Sequence, residues 1–245
     1  LNSIRMYRKE HHSEYGEVVL TWDSKHSWRR DYYPEYKASR RKGREESNLN
    51  WDDIFETLNK IRNEIKENFP YKYLEVFGAE ADDIIGFLCE ENRDEKIMII
   101  SGDKDFIQLQ KYSNVTQWSP ITKKQVNGFD PTIYLKEHIL KGDTSDGVPN
   151  VLSPDNTFVD GLRQRPLTRK KIQSWLVGGG SDWNDEVKRN FQRNLTLIDL
   201  TQIPEELKNQ IRLEYNNASH GDRSRLLNYF IENKLKELTD NIGDF

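Results

Sequence analysis

Cysteine is nearly absent from this 245-residue chain: Cys89 stands alone, among Ile85, Phe87 and Leu88. One thiol excludes an intrachain disulfide framework and a cysteine zinc site, and it suits a reducing cytoplasm. No apolar run approaches the roughly 18 residues of a spanning helix, and no signal-peptide pattern opens the chain, so neither membrane insertion nor secretion is expected. No internal repeat is visible. An initial Met is also lacking: Leu1 comes first and residues 1–7 read as the middle of a helix, so further residues are expected upstream. Hydrophobic residues make up only 35% and charged residues 32%, a polar balance for a folded protein. Six Trp, eleven Tyr and ten Phe can nevertheless anchor a core. The length suits one large α/β domain, alone or with a smaller helical appendage.

The formal net charge of −4 hides segregation along the chain. Lys25, Arg29, Arg30, Lys37, Arg40, Arg41, Lys42 and Arg44 are opposed within their stretch only by Asp31 and Glu35. Carboxylates gather instead where apolar runs end, at Asp23, Glu80, Asp82, Asp83, Asp103, Asp105, Asp143 and Asp146.

Val18 to Trp22 and Lys96 to Ile100 are short β-rich apolar runs with the look of buried parallel strands, ending at Asp23 and at Ser101-Gly102-Asp103. Between them, helical spacing covers Trp51 to Phe69 and stops at Pro70, a weaker strand follows at Tyr73 to Val76, and a helix covers Ala81 to Glu91. This alternation predicts an α/β fold with a parallel sheet, right-handed crossovers and helices on both faces. A further strand at Val115 to Trp118, a turn at Asn127-Gly128 and a helix at Pro131 to Leu140 lead to Gly142-Asp143, and beyond Pro149 the pattern becomes mainly helical. The expected division is residues 1–150, an α/β domain with a basic arch over about residues 24–50, and residues 151–245, a helical C-terminal region.

Ligands of open α/β sheets bind outside the carboxyl ends of the strands, where Asp23 and Asp103 fall by position. On a helical wheel, Glu80 and Asp82 flank the stripe Ala81, Ile84, Ile85, Leu88, each roughly 90–110° from its centre, while Asp83 points away toward solvent. Crowding these acids with Asp105 is costly unless cations neutralise them. Oxygen ligands without a His or Cys cluster favour Mg²⁺ or Mn²⁺ over zinc, and two such ions suit in-line displacement at a phosphodiester. Plainer readings stand beside this one. Acids at a helix start complement the helix dipole, Asp103 reads equally as an N-cap, and Asp146-Gly147 is a common turn dipeptide. The stretch from Trp28 to Lys42 mixes cations with aromatics, as phosphates and stacked bases require, and Arg29, Arg30, Tyr36, Arg41, Lys42 and Arg44 are its candidate nucleic-acid contacts. A solvated charged loop is the alternative.

Asp23 after a strand, Tyr-Tyr-Pro-Glu-Tyr-Lys-Ala-Ser-Arg (32–40), Glu-Ala-Asp-Asp (80–83), Ser-Gly-Asp-Lys-Asp-Phe (101–106) and Leu-Lys-Gly-Asp-Thr-Ser-Asp-Gly-Val-Pro (140–149) occur in an order that resembles the flap endonuclease or 5′-nuclease family. Within that family the resemblance leans to the ribonuclease H type of T-even phages. It implies a parallel-sheet, PIN-like nuclease domain that removes RNA primers or 5′ flaps during phage DNA replication in the host cytoplasm. Asp23, Glu80, Asp82 and Asp103 would serve one Mg²⁺, and Asp105, Asp143 and Asp146 a second, with Mn²⁺ as a substitute. Lys37 and Arg40 would steer the scissile phosphate within the arch, and Asp143 to Pro149 would begin a helical duplex-binding motif. The implied partners are branched or 5′-ended DNA, RNA–DNA hybrid and a phage single-stranded DNA-binding protein, and the implied state is a monomer. Two places depart from the family pattern. Asn150 to Pro154 replaces a usual Gly-Ile-Gly hairpin, so duplex contact by that route is not expected. The family's first strand, which ends in another metal-binding Asp, has no counterpart, so the chain as it stands is expected to cut poorly. Rival readings are a catalytically impaired DNA-binding fragment and an RNA-cutting PIN-type nuclease.

Overall fold

The computed structural model describes residues 1–218 and 221–245, with the side chains of all but Arg41 and Lys42. Helix α1 (Asn2–Tyr15) precedes strand β1 (Val19–Thr21), and the basic stretch folds into α2 (Trp28–Tyr32) and α3 (Ser39–Glu45). Next come α4 (Trp51–Asn68), β2 (Lys72–Leu74), α5 (Ala81–Glu91) and β3 (Ile97–Ile100). A 3₁₀ helix (Lys104–Lys111) leads to β4 (Val115–Ser119), β5 (Lys124–Gln125) and α6 (Pro131–Lys141). The rest is helical: α7 (Arg169–Gly178), α8 (Asp185–Ile198), α9 (Glu205–Asn217), α10 (Ser224–Glu232) and α11 (Lys236–Asp240). No helix among the described residues is long and apolar enough to cross a membrane.

Local chemistry sets several of these boundaries. The Asn50 side chain accepts from the Asp53 N–H to start α4, which stops before Pro70. Asp130 caps α6 by accepting the N–H groups of Thr132 and Ile133, with Pro131 at the first turn where no donor is needed. Gly142 ends α6 at φ +68°, and a Cβ there would collide with the carbonyl oxygen of Val148, so only glycine admits the close return of the chain.

The expected parallel pairings are present, β1 with β2 and β3 with β4, with β5 added antiparallel to β4. Among the described residues they form two ladders rather than one sheet. Packing joins the two: α5 lies against both β1 and the 3₁₀ helix. Beyond β1 the chain still follows its neighbour, with Trp22 N–H donating to Leu74 O and Ser24 N–H to Ala79 O, which carries Asp23 to the start of α5.

Every buried cluster draws on residues from both sides of Asn150. Phe69 and Tyr71 pack with Leu226, Phe230 and Phe245, while Leu74, Ile84 and Phe87 pack with Ile203, Leu207 and Ile211. Tyr33 and Tyr36 pack with Ile139, Val148, Leu197 and Ile198. This third cluster clamps the segment between α2 and α3 against the turn after α6.

Candidate metal centre

Side chains from five separate stretches meet beyond the ends of β1 and β3. Asp23 Oδ1 accepts the Ala81 N–H at 2.8 Å, tying the first stretch to the start of α5. There Glu80 and Asp83 form a reciprocal capping box, in which the Glu80 N–H donates to Asp83 Oδ2 at 2.9 Å. Asp82 stands between them and accepts no hydrogen bond or ion pair from the described residues. Burial, with Asp103, Asp105 and Asp23 close by, pushes its carboxyl up to about 7.

Asp103 caps the 3₁₀ helix by accepting the Asp105 N–H at 3.0 Å, so the plainer N-cap reading holds alongside its place on the acidic rim. Burial pushes Asp105 up to about 6 against the pull of His138, with Asp103, Asp143 and Asp146 adding to the rise. Asp143 Oδ1 accepts from Ser145 N–H, Ser145 Oγ–H and Asp146 N–H, building the turn after α6. Burial opposes its charge, but the adjacent His138 and the hydrogen bonds from Ser145 hold it well below the usual carboxylate range.

The acids at the other end of the rim are already paired. Lys37 Nζ lies 2.5 Å from Glu80 Oε1 and 3.6 Å from Asp146 Oδ2, and Arg40 Nη2 lies 2.5 Å from Asp146 Oδ1. The Tyr36 hydroxyl faces both Glu80 Oε2 at 2.8 Å and Asp146 Oδ2 at 2.7 Å. Burial raises Glu80, yet Lys37 and Arg29 bring it below its ordinary value, whereas burial outweighs Lys37 at Asp146, which is raised. Lys37 adopts the left-handed region at φ +56°, a conformation that a non-glycine residue holds only when its surroundings impose it.

Three expectations need correction. Asp83 does not face solvent: it is fully buried, capping α5 and accepting from Arg29 and Trp28. Arg29 is 2% exposed, with its guanidinium directed to Asp83, Glu80 and the carbonyl of Leu197, so it faces the interior rather than a nucleic acid. Tyr36 is 3% exposed and its hydroxyl is engaged with the acids, which removes it as a stacking surface. In each case a buried partner distant in sequence satisfies the polar group. Arg30 is exposed and Arg44 lies over the Phe55 ring at 5.8 Å, while the side chains of Arg41 and Lys42 lie outside the described residues.

His138, on the last turn of α6, was not singled out by sequence. Its Nδ1 is 3.4 Å from Asp105 Oδ1 and its Nε2 3.5 Å from Asp143 Oδ2, and the three residues form a group able to hold a metal ion. Burial opposes its charge, but Asp143 and Asp105 raise it overall. The available signal was its place one turn before Gly142-Asp143 on the helix that delivers that acid. An open depression of about 600 Å³ adjoins the group, lined in part by Ser101, Asp103, Asp105, Tyr134 and His138.

Carboxylates with unused lone pairs, gathered on one rim and reachable from solvent, fit a divalent cation. Asp23, Asp82, Asp103, Asp105 and Asp143 are the residues free to hold it. Glu80 and Asp146 join only by giving up Lys37, Arg40 or Tyr36.

Residues 1–138 match the family described as 5′-3′ exonuclease, N-terminal resolvase-like domain, and residues 130–245 match T4 RNase H, C terminal. Over its whole length the chain is 35% identical to the ribonuclease H of Enterobacteria phage T4, covering 85% of that protein. A structure of divalent zinc ions bound to the T5 5′-exonuclease superposes with a TM-score of 0.62 at 18% identity, covering 89% of each chain. The bacteriophage T5 flap endonuclease in a pseudo-enzyme-product complex with DNA and metal ions gives a TM-score of 0.61 at 17% identity, covering 88% of this chain and 89% of the other. At such identities the likeness is one of fold.

Proposed function

This chain belongs to the 5′-3′ exonuclease family of nucleases, and from that premise we propose that it acts as a divalent-metal-dependent 5′→3′ exonuclease and flap endonuclease removing RNA primers or 5′ flaps during phage DNA replication. The observation that carries the reading is the meeting of Asp23, Asp82, Asp103, Asp105 and Asp143 on one rim, entered from one side by Lys37 and Arg40.

Two Mg²⁺ ions, or Mn²⁺ in their place, are proposed there, the first with Asp23, Glu80, Asp82 and Asp103 and the second with Asp105, Asp143 and Asp146. Bound divalent ions would supply Lewis acidity toward the scissile phosphodiester. The chain's own groups do the rest. Asp83 and Arg29 lock the start of α5, fixing the direction of Asp82. Lys37 and Arg40, held beside Glu80 and Asp146, exchange part of that contact for the non-bridging oxygens of the phosphate and favour the charge that develops during cleavage. Arg30 and Arg44 contribute positive charge along the approach, which attracts the backbone of any sequence.

The proposed substrates are branched or 5′-ended DNA and RNA–DNA hybrid, acted on by a monomer, with a phage single-stranded DNA-binding protein as a further partner; the motif resemblance supports these. A 5′-flap duplex, an RNA–DNA hybrid and free single-stranded RNA, each incubated with the chain and Mg²⁺, test the reading. Slow release of short 5′ products from the first two, suppressed by chelator, is expected. Preferential cutting of free RNA would replace it with an RNA-cutting PIN-type activity.

A further inference from the structure

We propose that His138 is a ligand of the divalent cation held at Asp105 and Asp143, and that its imidazole shifts this centre's preference toward Mn²⁺ and away from Mg²⁺. The inference rests on the metal-dependent reading above and specifies the donor set of one part of that site.

The ring stands between carboxylates delivered by different elements. Its Nδ1 is 3.4 Å from Asp105 Oδ1, at the start of the 3₁₀ helix, and its Nε2 is 3.5 Å from Asp143 Oδ2, in the turn after α6. Both separations exceed the ~2.7–3.2 Å of an N–H···O hydrogen bond. A cation can therefore enter between the ring and either acid without breaking a close hydrogen bond. One ligand atom from each of Asp105, His138 and Asp143 falls within 4.8 Å of the others. Asp143 is oriented for this arrangement, because its Oδ1 is consumed by three hydrogen bonds in the turn while Oδ2 faces the ring. The Tyr134 ring packs edge-on against the imidazole at 6.0 Å between centroids and fixes its plane.

One ring nitrogen can therefore take the cation while the other donates its N–H to the adjacent carboxylate, the arrangement that orients a metal-bound imidazole and raises its basicity. The His138 side chain is 16% exposed and borders the open depression, so an ion reaches it without rearrangement of the core. Mg²⁺ favours oxygen ligands and parts reluctantly with its waters, whereas a nitrogen donor is better accepted by first-row transition ions. A rim of carboxylates alone lacks that bias. The competing role for His138 is an imidazolium that neutralises the two acids and is displaced when a cation binds.

Mn²⁺ titrated into the full chain without substrate separates these roles by pulsed electron paramagnetic resonance, since an imidazole ligand imposes ¹⁴N modulation on the Mn²⁺ echo. The expected result is ¹⁴N coupling in the unaltered chain, its loss in His138→Asn and its retention in His26→Asn, whose ring pairs with Asp31 and stacks on Phe77. The Mg²⁺ concentration that displaces Mn²⁺ is expected to fall about tenfold in His138→Asn. Circular dichroism checks that each variant is folded. Bound Mn²⁺ without ¹⁴N coupling, or coupling that survives in His138→Asn, would overturn the ligand assignment and leave the metal-dependent reading standing. Failure of the folded chain to bind Mn²⁺ would overturn both.

Discussion

The backbone N–H of Lys37 donates to the carbonyl oxygen of Asp146 at 2.7 Å, joining the basic segment to the acidic turn after α6. Gly147 makes the approach feasible: a Cβ on it would lie 3.2 Å from Glu35 O, and its own φ of +74° is open mainly to glycine. The lysine placed in this way directs its Nζ to Glu80 and Asp146. A cation that the sequence places in an arch is thus part of the carboxylate rim.

Lys37→Ala and Arg40→Ala are therefore expected to slow cleavage more than they weaken binding. Groups acting on charge that develops at the phosphate matter most in the transition state, on the order of a hundredfold in rate for one donor. Glu80 keeps Arg29 and Tyr36 in the Lys37 variant, so the fold is expected to stand. Single-turnover rates and equilibrium binding to one 5′-flap substrate make the comparison, and equal losses in the two would reduce both residues to general phosphate contacts.

Arg29 and Arg30 are neighbours with opposite expectations. Arg29→Ala leaves the fully buried Asp83 without its guanidinium and is expected to destabilise the protein by about 3–5 kcal/mol. Arg30→Ala, at an exposed position, is expected to change stability by no more than about 0.5 kcal/mol. It is also expected to lower the slope of log affinity against log salt by about one. Urea denaturation reads the first pair of values and DNA titrations at several salt concentrations read the slope; comparable stability losses at both positions would contradict the burial argument.

Much of this arrangement is legible in the sequence because local rules and the global fold agree there. The helix expected at Ala81 to Glu91 is found with those bounds, and the run Lys96 to Ile100 yields β3 one residue shorter. What sequence misses is decided at long range. A wheel referred to one apolar stripe sends Asp83 outward, but α2 and α8 supply a second interior through Arg29 and Leu197. A search for clustered histidines passes over His138, because its two acidic neighbours come from different elements. Strand–helix alternation predicts the parallel pairings, yet it does not reveal that α5 rather than a shared ladder connects β1 to the 3₁₀ helix following β3.

The acids also set a pH dependence for the metal-free protein. Asp82 at about 7 and Asp105 at about 6 both stand above their ordinary 3.8, so the folded chain keeps protons that the unfolded chain has released. Stability from these groups is present below about pH 4 and is lost as pH rises toward 7; His138, raised above 6.5, acts in the same sense over its higher window. Asp143 and Glu80, both lowered, act oppositely and are lost only as the medium becomes more acidic than their ordinary range. In chelator the melting temperature is therefore expected to be lower at pH 8 than at pH 5.5, and Mg²⁺ is expected to narrow the difference. A metal-free melting temperature that rises over this interval would show that the acids do not repel as described.

Asp82→Asn and Asp103→Asn are expected to abolish cleavage while leaving DNA binding nearly unchanged, but for structurally different reasons. Asp82 accepts no hydrogen bond from the described residues, so its amide removes a charge from the rim without breaking a protein contact. Its metal-free melting temperature at pH 8 is expected to rise, because one member of a mutually repelling set has gone. Asp103 accepts the Asp105 N–H, a task asparagine performs about as well at an N-cap, so its variant keeps the 3₁₀ helix and loses only the anionic ligand. The basic surface is untouched in both, and its phosphate contacts should hold affinity within a few-fold. Cleavage rates in Mg²⁺, affinity for a 5′ flap and melting in chelator can be measured on the same preparations. Near-normal turnover from either folded variant would remove that carboxylate from the metal centre, whereas lost turnover with a higher metal-free melting temperature in Asp82→Asn is the signature of an acid kept for a cation rather than for the fold.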